Sequence, residues 1–388
     1  MMLRARFVLT GVWLGVWCGV GASKANATSY QWAADSALSA APWSACPRCN
    51  RTQPGTDPSS AITGITTDYT TLRRLANQAD MWPATWADDG NLYTFGNDGM
   101  GWGTTYLAGW TLNRLSGLPT GDLRSQGVLI NTKPVVLGVG ITSIGSRLYI
   151  VEAVPSGERG RFGHSDDHGL TWVYPAGSGW DYDSTTRPCN LAGGRFVQFG
   201  QANSGAMDEY VYLYTGGTGA PGNVGLARAP AASVDVRSTH EYFAGLDDAG
   251  APTWTRDPTQ CKPVLTLPRT NWGNSLSYNP VLQRFLLVEF VDSASTAEFY
   301  DAPKPWGPFT LVTRIEALGG DTMRKFDLNF INKPGWLSAD GLTWWAVLSG
   351  VGRNTGWDSF NALRFTLSAT GSLPPPPSLP GRDSLEAH

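Results

Sequence analysis

The sequence predicts an all-β chain folded as a five-bladed β-propeller, and three observations predict it. Glycine (46) and tryptophan (17) are abundant while charged residues make up only 16%, a composition that suits many short aromatic strands better than long helices. A strand, a Gly or Asn/Asp turn and a strongly aromatic strand follow one another in five passages. These are MWPATWADDGNLYTFGND (81–98), GITSIGSRLYIVEA (140–153), FVQFGQANSGAMDEYVYLYTGG (196–217), SLSYNPVLQRFLLVEF (275–290) and FINKPGWLSADGLTWWAVLSG (330–350). Anchored on Leu92-Tyr93, Leu148-Tyr149, Val211-Tyr212, Arg284-Phe285 and Trp344-Trp345, the second strands succeed one another by 56, 63, 73 and 60 positions, the spacing of a repeated antiparallel meander. A β-sandwich, or a pair of them, is the alternative, but it does not call for the same hairpin five times.

Taken from the N-terminus, Arg4 and Arg6, the apolar run Phe7 to Val20 and Ala25-Asn26-Ala27 have the charged, apolar and small-residue regions of a secretory signal. Residues 1–27 are therefore expected to be removed, and the apolar run is short for a bilayer span. Residues 28–74 lead into the propeller, expected over 75–370. Within it Asp89-Gly90, Gly145-Ser146 and Asp340-Gly341 form tight hairpin turns, because these residue types tolerate positive φ. Weaker strands follow, at Leu107 to Leu112, Val224 to Ala229 and Ala362 to Leu367. The tail 371–388, with Pro374 to Pro377, reads as a disordered appendage.

Loss of the signal removes Arg4, Arg6 and Lys24 and leaves 26 basic residues against 32 acidic ones. A net charge of about −6 without basic runs argues against nucleic acid and anionic membranes as partners. The exported chain keeps Cys46, Cys49, Cys189 and Cys261, an even number that suggests two disulfides. Cys189 with Cys261 is the expected pair. Cys46-Pro-Arg-Cys49 has redox or half-zinc spacing, and no second CxxC completes a zinc site.

Residues 165–172, SDDHGLTW, are similar to the Asp-box of sialidases and related propellers at Ser165, Asp167, Gly169, Thr171 and Trp172. The resemblance implies a structural hairpin: the Asp accepts backbone N–H bonds, the Gly supplies the turn and the Trp packs between blades. Metal ligation by His164, Asp166, Asp167 and His168 is the chemical alternative. Longer strings, DMWPATWADDGNLYTFGNDGMGWG (80–103), SYNPVLQRFLLVEF (277–290), YDAPKPWGPFTLV (300–312) and LSADGLTWWAVLSG (337–350), resemble in order the family catalogued as domain of unknown function 4185, over about residues 75–368. That resemblance implies a five-bladed propeller and a carbohydrate-active role, since some members are endo-acting glycoside hydrolases that cut the D-arabinan of mycobacterial cell walls.

A propeller gathers the starts of its inner strands at one mouth, where glycoside cleavage needs one carboxylic acid and one carboxylate. Asp80, directly before Met81-Trp82-Pro83, is the first candidate. Asp327 enters the fifth blade in the same manner. Glu152 and Glu289 end otherwise apolar strands, where a buried charge needs a partner such as Arg147 or Arg324. Asp98 lies in Gly96-Asn97-Asp98-Gly99, where a turn role competes with catalysis. Trp82, Trp102 and Trp272 could present ring faces to a sugar, with Asn271, Asn274 and Asn329 as polar neighbours. No nucleophile elbow, HExxH helix or phosphate-binding glycine loop is present, so neither a Ser-His-Asp hydrolase nor a nucleotide cofactor is expected. A structural Ca²⁺ stays compatible with acids and carbonyls at the mouth. Two functions remain: a secreted or cell-envelope, monomeric glycoside hydrolase acting on a furanoside polysaccharide such as arabinan, or a non-catalytic propeller binding a glycan or protein at the cell surface.

Overall fold

The structure is a computed structural model that describes residues 31–33, 52–54, 61–77, 79–99, 107–131, 137–153, 159–181, 194–216, 222–268, 275–291, 295–318, 325–350 and 359–370. Five antiparallel sheets form the five blades of a propeller. Their innermost strands are Ala84–Trp86, Leu137–Ile144, Arg195–Phe196, Ser275–Asn279 and Lys325–Phe330, in blades 1 to 5. Each is followed by the aromatic second strand expected from the sequence: Leu92–Gly99, Arg147–Ala153, Tyr210–Gly216, Arg284–Phe290 and Thr343–Gly350. The third strands include Leu107–Ser116, Gly222–Pro230 and Ser359–Ala369, where weaker strands were expected.

The turns between first and second strands follow from their residues. Gly90, Gly145 and Gly341 have φ of 79°, 55° and 73°, a left-handed region that costs glycine little. The 165–172 hairpin is closed by side chains: Asp167 Oδ1 accepts from Thr171 N at 2.8 Å, its Oδ2 accepts from Thr171 Oγ1 at 2.6 Å, and Ser165 Oγ accepts from Gly169 N at 2.7 Å. A shorter turn of the same kind holds blade 5, where Asp340 Oδ1 accepts from Leu342 N at 3.0 Å and Ser338 Oγ accepts from Thr343 N at 2.8 Å. Trp172 packs edge-on to Trp110 of blade 1, ring centroids 6.3 Å apart.

The blades are locked pairwise near the axis. Asn97 exchanges two bonds with the Gly138 backbone between blades 1 and 2, at 2.8 and 3.0 Å. Gln198 donates to Ile141 O at 2.8 Å and joins blade 3 to blade 2, while its backbone bridges to Ser277 of blade 4. Ser277 Oγ accepts from Phe330 N at 3.2 Å, and Met81 N donates to Ser349 Oγ at 3.3 Å, closing blades 4 to 5 and 5 to 1. The ring also draws on residues before 75: Ile62–Asn77 pairs with Ser359–Ala369 in blade 5, Thr52–Pro54 edges blade 4 and Gln31–Ala33 edges blade 1. Blade 5 therefore joins residues that precede the first blade to residues that follow the fourth, which ties the ring shut through backbone hydrogen bonds.

Between blades 2 and 3, His240 is buried at 1% exposure. It packs on Phe162 with centroids 5.0 Å apart, and its Nε2 donates to Val234 O at 2.7 Å. Burial pulls its pKa down to about 4, against the pull of the Val234 carbonyl and Asp235. A depressed histidine pKa makes stability complete above the unfolded value near 6.5 and loses it as pH falls toward 4. A loss of about 3 kcal/mol is expected across that window, visible as a falling urea midpoint. His240→Gln, which keeps the donor and cannot take a second proton, should flatten that slope; an unchanged slope would assign it to other groups.

Candidate active site at the propeller mouth

Call the upper face the one where the inner strands begin. Asp80 stands there, half-buried, immediately before the inner strand of blade 1. Its backbone exchanges two hydrogen bonds with Asn97, at 3.0 and 2.9 Å. Asp98 is the next residue along that second strand, and the register shifts between Asn97 and Gly99. Asp98 thus lies within the strand rather than in a turn, and the extra residue of the bulge falls opposite it on the third strand, between Leu107 and Trp110; bulges recur beside active sites. The Asp98 side chain itself lies outside the described residues.

Asp327 is the third residue of blade 5's inner strand and also lies in a register shift, between Phe326 and Asn329. Its backbone is left-handed, φ 57°, and so is that of Met81 beside Asp80, φ 51°. Neither is glycine, so each costs of order 1 kcal/mol or more and persists because its surroundings fix it. Asp327 is fully buried. Its Oδ1 meets the Arg195 guanidinium, from the first residue of blade 3's inner strand, and accepts from Asn329 Nδ2 at 3.0 Å. Among the described residues its Oδ2 has no hydrogen-bond partner. Burial pushes the Asp327 carboxyl up, and Arg195 and Asn329 pull against it. Arg195 and Asn329 face a small axial cavity of about 10 Å³ that residues of all five blades line, room for about one water. The axis is therefore plugged by a charge pair from non-adjacent blades.

The other expected site residues fall elsewhere. Glu152 is fully buried, but its oxygens accept from Trp110 Nε1 at 2.8 Å, Tyr174 OH at 2.9 Å and Arg161 Nε at 2.6 Å. Such saturation describes a brace between blades 1 and 2. Glu152→Ala should cost about 2–4 kcal/mol by stranding those donors, read by chemical denaturation; lost turnover at unchanged stability would instead give Glu152 a catalytic role. Glu289 is fully buried inside blade 4, opposite Glu298, which Tyr300 and Arg314 hold. Trp82 is fully buried and meets Phe360 edge-on at 5.4 Å, so it has no ring face to offer a sugar. Trp102, Asn271, Trp272 and Asn274 lie outside the described residues, as do Cys46, Cys49 and Cys189. The two histidines weighed as metal ligands pair with different aspartates: His164 Nδ1 lies 2.5 Å from Asp235 and His168 Nε2 lies 2.8 Å from Asp88. Arg195 was not picked out from the sequence, where a lone arginine in a two-residue strand carries no pattern.

These features define a five-bladed propeller whose axis is plugged by the Asp327–Arg195 pair and whose upper face carries Asp80 beside the left-handed Met81. The family described as Domain of unknown function (DUF4185) matches residues 157–323, a span that includes blades 3 and 4. No curated protein matches the chain. Among solved structures the chain is similar to the GH43_1 enzyme from Xanthomonas citri, at 15% identity over 75% of this chain and 87% of that one, TM-score 0.43. It is also similar to the endo-arabinase from Bacteroides thetaiotaomicron VPI-5482, at 9% identity over 76% and 95%, TM-score 0.45. A third is Zg3597, a family 117 glycoside hydrolase of the marine bacterium Zobellia galactanivorans, at 12% identity over 82% and 90%, TM-score 0.39.

Proposed function

We propose that this chain is an exported, monomeric glycoside hydrolase that cuts a furanoside polysaccharide such as arabinan across its upper face. The observation that carries the reading is the backbone pairing of Asp80 with Asn97, which puts Asp80 next to the end of the second strand that holds Asp98, on the face where all five inner strands begin. One carboxylic acid protonates the leaving glycosidic oxygen while the other, as carboxylate, attacks the anomeric carbon or takes a proton from the attacking water. Asp80 and Asp98 are assigned to that pair. Asp327, fully buried against Arg195, supports the floor of the mouth as a positioning residue. No cofactor is required by this chemistry, and a calcium ion would serve only as a structural element.

The burial of Asp327 also favours a second reading, a propeller that binds a glycan or protein without turnover. Incubating the purified protein with arabinan, xylan and galactan and analysing new reducing ends separates the two. Fragments from arabinan alone support the arabinanase reading, whereas retention of a polysaccharide with no new ends from any of them supports the binding one.

A further inference from the structure

Asp80 sits where three blades meet, and Asn97 makes most of the ties that hold it there. Asn97 is fully buried. Its main chain pairs with Asp80 in both directions, Asp80 N donating to Asn97 O at 3.0 Å and Asn97 N to Asp80 O at 2.9 Å. Its side chain reaches blade 2, where Oδ1 accepts from Gly138 N at 2.8 Å and Nδ2 donates to Gly138 O at 3.0 Å. The amide thus imitates a peptide unit and pairs with Gly138 as a strand would. An Asp here would set a buried carboxylate against the Gly138 carbonyl, and a Leu would strand both backbone groups. The neighbours suit this close approach: a Cβ on Gly138 would lie 2.8 Å from the Phe95 ring, and one on Gly96 would lie 2.5 Å from the Trp82 ring. On the other side of Asp80, Met81 N donates to Ser349 Oγ of blade 5 at 3.3 Å, and Met81 keeps its left-handed φ of 51°.

We propose that Asn97 is the positioning residue of the mouth. It holds Asp80 through its main chain and blade 2 through its side chain, and Asp98 follows it directly in the second strand. It therefore sets the placement of the two carboxylates assigned as the acid and the nucleophile or base. The inference rests on the hydrolase reading for its chemistry, whereas the placement of Asp80 is a matter of geometry that can be measured without turnover. A misplacement of about 1 Å between reacting groups costs on the order of 10²-fold in rate, so a buried tie at this point governs turnover without touching substrate.

Asn97→Ala tests it, with Asn279→Ala as the matched control. Asn279 is also fully buried and also ties two blades, donating to Gly341 O at 2.9 Å and accepting from Val281 N and Leu282 N at 3.1 Å, but it does so between blades 4 and 5 on the opposite face. Two quantities are read in the full-length chain: turnover of arabinan, and the carboxyl carbon NMR resonance of Asp80 in aspartate-labelled protein, identified by its loss in Asp80→Asn. Both alanine variants should lose stability to urea. Only Asn97→Ala should move the Asp80 resonance and lower kcat about 10- to 100-fold with KM unchanged. Gly96→Ala, which presses on Trp82 and strands no polar group, should act in the same direction and takes its place if Asn97→Ala does not fold. An unmoved Asp80 resonance, a normal kcat in a variant whose resonance has moved, or an equal effect of Asn279→Ala on both readouts overturns the proposal. Absence of turnover in the unsubstituted chain overturns the hydrolase reading instead, and the resonance then decides whether Asn97 places Asp80.

Discussion

Arg195→Ala is expected to be the most destabilising single change at the axis, costing about 3–5 kcal/mol. Arg195 is 5% exposed and Asp327 is fully buried, so removing the guanidinium leaves a carboxylate in the interior with Asn329 as its remaining donor. The carboxylate must then take a proton or draw water onto the axis, and either weakens the folded state. A fall in melting temperature on the order of 5–10 °C should follow. The double variant Arg195→Met with Asp327→Asn separates charge from shape. Asn tolerates the left-handed backbone of position 327, and the pair removes both buried charges. Recovery of at least half the loss identifies the stranded charge as the cause; equal loss in the single and double variants would assign it to the lost side-chain volume.

What the sequence revealed and what it hid divide along the range of the interactions. The second strands and their turns were legible because a hairpin is local: Gly90, Gly145 and Gly341 sit where the backbone turns left-handed. The outermost strands before residue 75 were not legible as blades, because Ile62–Asn77 finds its partner in Ser359–Ala369 across the whole chain. No turn residue announces such a pairing. The same distance hid Arg195, whose partner Asp327 belongs to a blade two steps round the ring. Asp80 was legible because it precedes a strand start, and Asp98 was half legible: the Gly-Asn-Asp-Gly string suggests a turn, but the strand continues through it, opposite a bulge in the third strand. Trp82 shows the converse error. Its place beside Asp80 suggested a sugar platform, yet the side chain points back into the seam with Phe360, a direction that spacing does not encode. A cleft on the flank between blades 2 and 3 left no trace in the sequence, because the three separate segments that line it come together only where those blades pack.

Asp80→Asn is expected to lower turnover of a polysaccharide substrate about 10²- to 10⁴-fold with little change in stability. The substitution keeps the shape of the side chain and the two backbone bonds to Asn97, and it removes the charge from a half-buried position. Asp340→Asn is the matched control: that aspartate holds a turn on the opposite face, accepting from Ser338 Oγ and Leu342 N, so its loss should cost stability and spare turnover. Substrates with good leaving groups then assign the roles of the pair. Aryl furanosides need no proton on departure, so the variant lacking the acid should retain much of its activity on them. The variant lacking the nucleophile or base should stay slow until azide or formate is added in its place. The assignment predicts that Asp80→Asn and Asp98→Asn show these two behaviours, one each. Normal turnover in Asp80→Asn would remove the mouth from the chemistry altogether.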